Sequence, residues 1–158
     1  MNKIVILILL FTLASCGYHL RANNAIAENH PNIKLEVSSQ STLKRPLVNA
    51  LLSSNVKLTE KSSASTSDLV ILKDALNKVI QSIGANNQVQ EYRLEYDVEY
   101  RIGDSEIQSI RLEKDYSFDI QQIGGGQSEE RALRKELAED MAWAIIRQIN
   151  IINTSTNK

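Results

Sequence analysis

Between residues 92 and 102 the chain alternates without a break. Tyr92, Leu94, Tyr96, Val98, Tyr100 and Ile102 take the even positions; Arg93, Glu95, Asp97, Glu99 and Arg101 take the odd ones. A period of two predicts a strand with one buried and one wet face. Gly103-Asp104 supplies a turn, and Ile110, Leu112, Tyr116, Phe118 and Ile120 then repeat the parity, so the two runs read as an antiparallel hairpin. Residues 33–37 alternate in the same way. Towards the C-terminus the period changes. Leu133, Leu137, Met141, Ile145 and Ile149 recur every four residues, widened by Ala144 and Ile152, with Trp143 at the margin. That stripe predicts an amphipathic helix opened by Ser128 as cap, with Glu129 and Glu130 at its positive end. A shorter helix is expected, capped by Ser41 or Thr42 and running through Ser54, with Leu43, Leu47, Ala50 and Leu51 on one side and Pro46 tolerable only in its first turn. Residues 69–83 are ambiguous. Leu69, Leu72, Leu76, Val79, Ile80 and Ile83 are spaced as on a helix, which the pattern favours, while Leu69-Val70-Ile71-Leu72 also suits a buried strand.

The N-terminus has a different pattern. Lys3 precedes an unbroken apolar run, residues 4–11, followed by Leu13-Ala14-Ser15-Cys16. The run is too short to cross a bilayer core of about 30 Å as a helix, so residues 1–15 read as a secretory signal. Cys16 is the only cysteine, which excludes an intrachain disulfide and, with only two His, argues against a structural zinc site. Its place directly after small residues resembles the lipobox of bacterial lipoproteins, in which the signal is cut before the cysteine and that cysteine is acylated. Removal of fifteen residues would leave 143 of the 158 and take the formal charge from −1 to −2, because only Lys3 among the charged residues is lost. Gly17 stands where enteric lipoproteins retained in the inner membrane tend to carry Asp, which favours the outer membrane. A chain so close to neutral lacks the basic excess of a general nucleic-acid binder. Residues 16–30 read as a polar, lipid-anchored tether, 31–152 as a single domain, 61–67 as a surface loop and 153–158 as a polar tail.

Cys16-Gly17-Tyr18-His19-Leu20-Arg21 closely resembles the mature N-terminus of the LptE family of lipopolysaccharide-assembly lipoproteins, also called rare lipoprotein B. Gln90-Glu91-Tyr92-Arg93-Leu94 is similar to that family's Glu-Tyr-x-Leu stretch, and the order of elements from residue 33 to 152 agrees. The resemblance implies an α+β fold: a two-layer sandwich of about four mostly antiparallel strands, with two helices on one face. It makes residues 69–83 a strand. It further implies a partner, the LptD β-barrel of the outer membrane, whose lumen the lipoprotein plugs and whose assembly it assists. The pair delivers lipopolysaccharide to the cell surface without catalysis or a cofactor.

Few residues compete as chemical sites. His19 and His30 have no second cysteine or carboxylate motif beside them, no Ser stands in Gly-x-Ser-x-Gly, and no metal or catalytic set is expected. Cys16 is the expected lipidation site. Gly124-Gly125-Gly126 before a helix start could hold a phosphate, but Glu129 and Glu130 repel one there, so a turn is the better reading. Arg131, Arg134 and Lys135 are the nearest candidates for lipopolysaccharide, set against a simple solvated helix face. The charged strand face could meet polar groups of a barrel lumen or water alone. The competing functions are another envelope-assembly lipoprotein, such as an accessory of the β-barrel insertion machinery, and a tethered periplasmic hydrolase.

Overall fold

The computed structural model describes residues 25–85, 87–117 and 125–156. Cys16, the apolar leader, His19, Phe118, Ile120 and Gly124 lie outside the described residues. The elements are α1 (Ala25–Asn29), β1 (Asn32–Glu36), α2 (Lys44–Ser53), β2 (Lys57–Leu58), β3 (Ser67–Ile83), β4 (Val89–Ile102), β5 (Gln108–Ser117) and α3 (Gly125–Thr156).

The strands form one sheet in the order β2-β1-β3-β4-β5. β1 runs parallel to both β2 and β3, whereas β3, β4 and β5 are antiparallel to one another. The expected four strands are therefore five; the addition is two residues long, too short for any periodicity to announce it. The predicted hairpin is present, and Gly103 turns it with φ +53°, a left-handed conformation that side-chain-bearing residues rarely adopt.

β3 settles the ambiguous segment against the helical spacing. Leu69 pairs with Ile102 and Ile71 with Tyr100 on the core side. A register shift follows between Ile71 and Lys73, after which Asp74, Leu76, Lys78 and Ile80 face that side opposite Val98, Tyr96, Leu94 and Tyr92. A bulge inserts one residue and flips the parity of everything beyond it. Odd positions before the bulge and even positions after it mimic a helical stripe. Exposed Leu72 and Ile80 complete the illusion, because they are apolar without being core.

α2 begins at Lys44 with Leu43 at the cap position, one to two residues later than the expected cap. The Ser41 hydroxyl accepts the Leu43 N–H at 3.0 Å, and Pro46 falls within the first turn, where its missing N–H costs nothing. Its end is a Schellman motif: Asn55 has φ 60°, the Asn55 N–H reaches the Leu52 carbonyl, and the Val56 N–H reaches that of Leu51. Val56 and Leu51 are both buried, so the cap also packs.

α3 starts at Gly125, so Ser128 lies inside the helix rather than capping it, and it continues to Thr156 through the expected tail. Leu137, Met141, Ile145 and Ile149 are buried as predicted. Ala138, Ala142 and Ile146 widen the stripe, on the opposite side from Ala144 and Ile152. Small residues there let α3 approach α2 and the sheet closely. The helix lies antiparallel along β5, with Tyr116 bonded to Glu130 near its start and Gln108 bonded to Gln148 near its end. Eighteen helical residues and eight strand residues both span about 27 Å, so the two bonds fit one rigid pairing. The expected tether also folds at its end: α1 puts Ile26 into the core with no exposure.

Candidate functional site

Two surfaces carry the charged residues singled out in the sequence. The first is a groove of about 640 Å³ between α2 and α3. Arg131, Arg134 and Lys135 line it together, so the three sequence candidates do share one site. Arg45 joins them from α2, with Pro46, Ala50, Ala138 and Trp143 as the apolar part of the wall. Arg45 escaped the sequence reading because nothing in one chain segment reveals that α2 and α3 are neighbours.

The cations of this groove are not equivalent. Arg134 donates through Nε to Glu130 at 2.8 Å, and Lys135 stands 3.7 Å from Glu139 one turn on. Glu130 is the hub at the upper end of α3. It also accepts from Lys78 at 2.8 Å and from the Tyr116 hydroxyl at 2.7 Å. The Lys78 ammonium, which outweighs the opposing effect of burial, acts with Tyr116 and Arg134 to hold the Glu130 carboxyl down at about 2. Lys78 lies 3.8 Å from the centre of the Tyr92 ring, which stacks on Tyr116. Glu130 therefore anchors Arg134 to the sheet, while Lys135 on the outer rim is largely exposed.

The second surface is the outer face of β3, β4 and β5, the odd positions of the alternating strand. Here the charges bind one another across strands. Arg93 makes a two-pronged contact with Asp115 at 2.6 and 2.9 Å, and Arg111 makes the same contact with Asp97 at 2.6 and 3.0 Å. Each arginine lowers its partner carboxyl from the ordinary range. Arg93 also lies 3.2 Å from Glu113, and Lys73 3.6 Å from Glu99. Glu95 and Glu113 stand directly opposite each other between the two arginines.

The remaining candidates are structural. His30 Nδ1 meets Ser67 Oγ at 2.7 Å, which fastens the end of α1 to the start of β3. Gly125 and Gly126 form the first turn of α3. Among the described residues, no three His, Cys, Asp or Glu side chains gather as metal ligands, and no helix is long and apolar enough to cross a membrane.

A mixed sheet with helices on one face, a basic groove between them and an ion-paired face behind them define a two-layer domain of the α+β class. Residues 25–149 match the model of the lipopolysaccharide-assembly family LptE, and the chain belongs to that family. Solved structures share its fold. The crystal structure of rare lipoprotein B from Shewanella oneidensis is 23% identical, with a TM-score of 0.70, over 80% of this chain and 99% of that one. A solution structure of an uncharacterized lipoprotein B from Nitrosomonas europaea is 22% identical, with a TM-score of 0.69, over 79% and 85%. A minor lipoprotein from Acinetobacter baumannii is 20% identical, with a TM-score of 0.67, over 78% and 93%. No curated protein matches this sequence significantly.

Proposed function

We propose that this chain is an outer-membrane lipoprotein, acylated on Cys16, that plugs and helps assemble an LptD-like β-barrel for lipopolysaccharide transport to the cell surface. The observation that carries this reading is the family match, which runs from α1 to Ile149 near the end of α3. In this reading the domain faces the periplasm and the barrel lumen, and its work is non-catalytic. The outer face of β3, β4 and β5 suits a polar lumen wall, because its arginines are already held in fixed directions by neighbouring carboxylates. Arg131, Arg134 and Lys135, joined by Arg45, would meet the phosphates of lipopolysaccharide, with the apolar wall at Pro46 and Trp143 beside its acyl chains.

The test is detergent extraction of membranes containing the tagged full-length chain, followed by purification and identification of what accompanies it. One large barrel at equal stoichiometry supports the reading. Recovery with barrel-insertion components instead would transfer the chain to that machinery. For the groove, R131A, R134A and K135A combined should weaken binding of lipopolysaccharide by about tenfold or more while the barrel is still recovered, since even one lost charge-assisted bond is worth about 1.5–3 kcal/mol net of its exchange with water.

A further inference from the structure

On the outer face of the sheet, three successive rows cross from β4 to β5: Arg93 opposite Asp115, Glu95 opposite Glu113, and Asp97 opposite Arg111. The two arginines stand on different strands, diagonally across the central row. Each turns Nε and one terminal nitrogen to an aspartate, Arg93 to Asp115 and Arg111 to Asp97. The other terminal nitrogen of Arg93 reaches Glu113 at 3.2 Å. Glu95 is left over: among the described residues it joins no hydrogen bond or ion pair, and its neighbour on β3 is the neutral Asn77. The carboxylates beyond these rows are matched, Glu99 by Lys73 at 3.6 Å and Glu91 by the Ser82 hydroxyl at 2.9 Å.

The central row does not serve the fold. Like charges directly opposite each other on paired strands destabilise the pairing. Both arginines feel the charge of Glu95, yet their forks are already filled by the aspartates. The three rows hold two arginines and four carboxylates, a surplus of two negative charges. That surplus lies on β4, the middle strand of a three-stranded face on which no helix of the described residues packs. The centre of a contact surface is where a single charged anchor counts most.

We infer that this face docks on a wall that supplies a basic side chain, Lys or Arg, which enters between Arg93 and Arg111 and bridges Glu95 to Glu113. The inference rests on the reading of the chain as a barrel plug, and it names the chemistry of the lumen wall that faces β4 and β5. Directly opposed residues stand about 4.5–5.5 Å apart at Cβ, so one ammonium or guanidinium group can touch both carboxylates. Arg93 and Arg111 repel a cation that arrives one row too early or too late. The central pair therefore sets the register of docking as well as attracting the partner.

The test is a competition inside cells. The natural full-length chain and a variant, each with its own tag, are made together, and the barrel identified by the extraction above is purified. The ratio of the two tags in the barrel complex is then measured. Glu95→Lys should be outcompeted by about tenfold or more, because it places like charge against the wall's cation. Glu95→Gln, which keeps the shape and removes the charge, should fall between the two. Urea midpoints of both variants should equal or exceed that of the natural chain, since the opposed carboxylates are relieved. Equal sharing of the barrel by folded E95K and the natural chain overturns the inference and leaves the plug reading standing. Midpoints that fall in both variants make Glu95 a structural residue and also overturn it. A difference between the chains that vanishes on adding EDTA assigns the pair to a divalent cation instead of a basic side chain, which overturns it too. If the natural chain brings down no barrel, the plug reading fails and the inference with it.

Discussion

Arg93 and Leu94 are neighbours in the chain and belong to different environments. Leu94 is fully buried among α3, Tyr96 and Val98, between Lys78 on β3 and Lys114 on β5. Arg93 stands on the opposite face, where no helix of the described residues packs, tied to Asp115 and Glu113 of the next strand. On the inner face, stability comes from removing apolar surface from water, and the partner is the rest of the fold. On the outer face, the charges satisfy one another in solvent, and little stability is at stake. A face that needs no partner for folding is free to be specified by one for function.

The sharpest way to break this comparison is Leu94→Ala. A fully buried leucine truncated in a packed core costs about 2–5 kcal/mol, from lost transfer energy and the cavity left behind. Urea unfolding of the domain should show that loss as a lower midpoint at an unchanged slope. A cost below about 1 kcal/mol would mean that the inner face is not the packed layer described.

Glu130→Gln comes next. Glu130 gathers Lys78, Tyr116 and Arg134 at the junction of α3 with the sheet, and losing hydrogen bonds to a charged group costs about 1–3 kcal/mol. Its pH signature has a definite sign. The folded carboxyl titrates at about 2, below its unfolded value of about 4.3, so its contribution is complete above that value and disappears as pH falls towards 2. Unfolding midpoints of the natural chain should therefore fall more steeply between pH 5 and 2 than those of E130Q; parallel curves would remove Glu130 from the role assigned to it.

The two faces also differ in how far the sequence disclosed them. The β4 alternation was legible because the inner row is apolar and the outer row charged throughout. The four-residue stripe of α3 was legible because one helix face packs on the core. β3 was misleading because its bulge reverses parity between Ile71 and Lys73 and its outer row is partly apolar. β2 was invisible, since two residues have no period, and so was α1, where one buried Ile26 anchors a polar stretch. Of the groove, the three cations of α3 could be found by their proximity in sequence. Arg45 could not, because it becomes their neighbour only through the packing of α2 on α3.

Lys114 tests the boundary between the two regimes. It sits in the inward row of the edge strand β5, yet its ammonium reaches Glu136 at 2.6 Å and Asp140 at 3.1 Å on α3. An inward charge on an edge strand discourages a second sheet from adding there, and here it also clips the helix to the edge. Both acids are well exposed, so Lys114→Met should shift folding stability by less than about 1 kcal/mol. Its larger effect should be self-association at high concentration, read by sedimentation. A strictly monomeric K114M chain would assign the protection of β5 to its other charges.

The smallest folding effect is expected for Arg93→Ala. Both partners are solvent-exposed and the contact is screened, so the loss should be about 0.2–1 kcal/mol despite its two-pronged geometry, and smaller still in high salt. Removal of the cation also leaves Asp115 without its partner and Glu95 and Glu113 with Arg111 as their neighbouring cation, a change of charge that a polar partner surface would sense more than the fold does. Paired with Leu94→Ala, this substitution separates the faces: one should unfold the domain sooner at an unchanged outer surface, the other should keep the fold and reduce recovery of the proposed barrel partner. Equal losses of stability from two adjacent residues would mean that the outer ladder is part of the folding unit, and its charges would then need no partner to account for them.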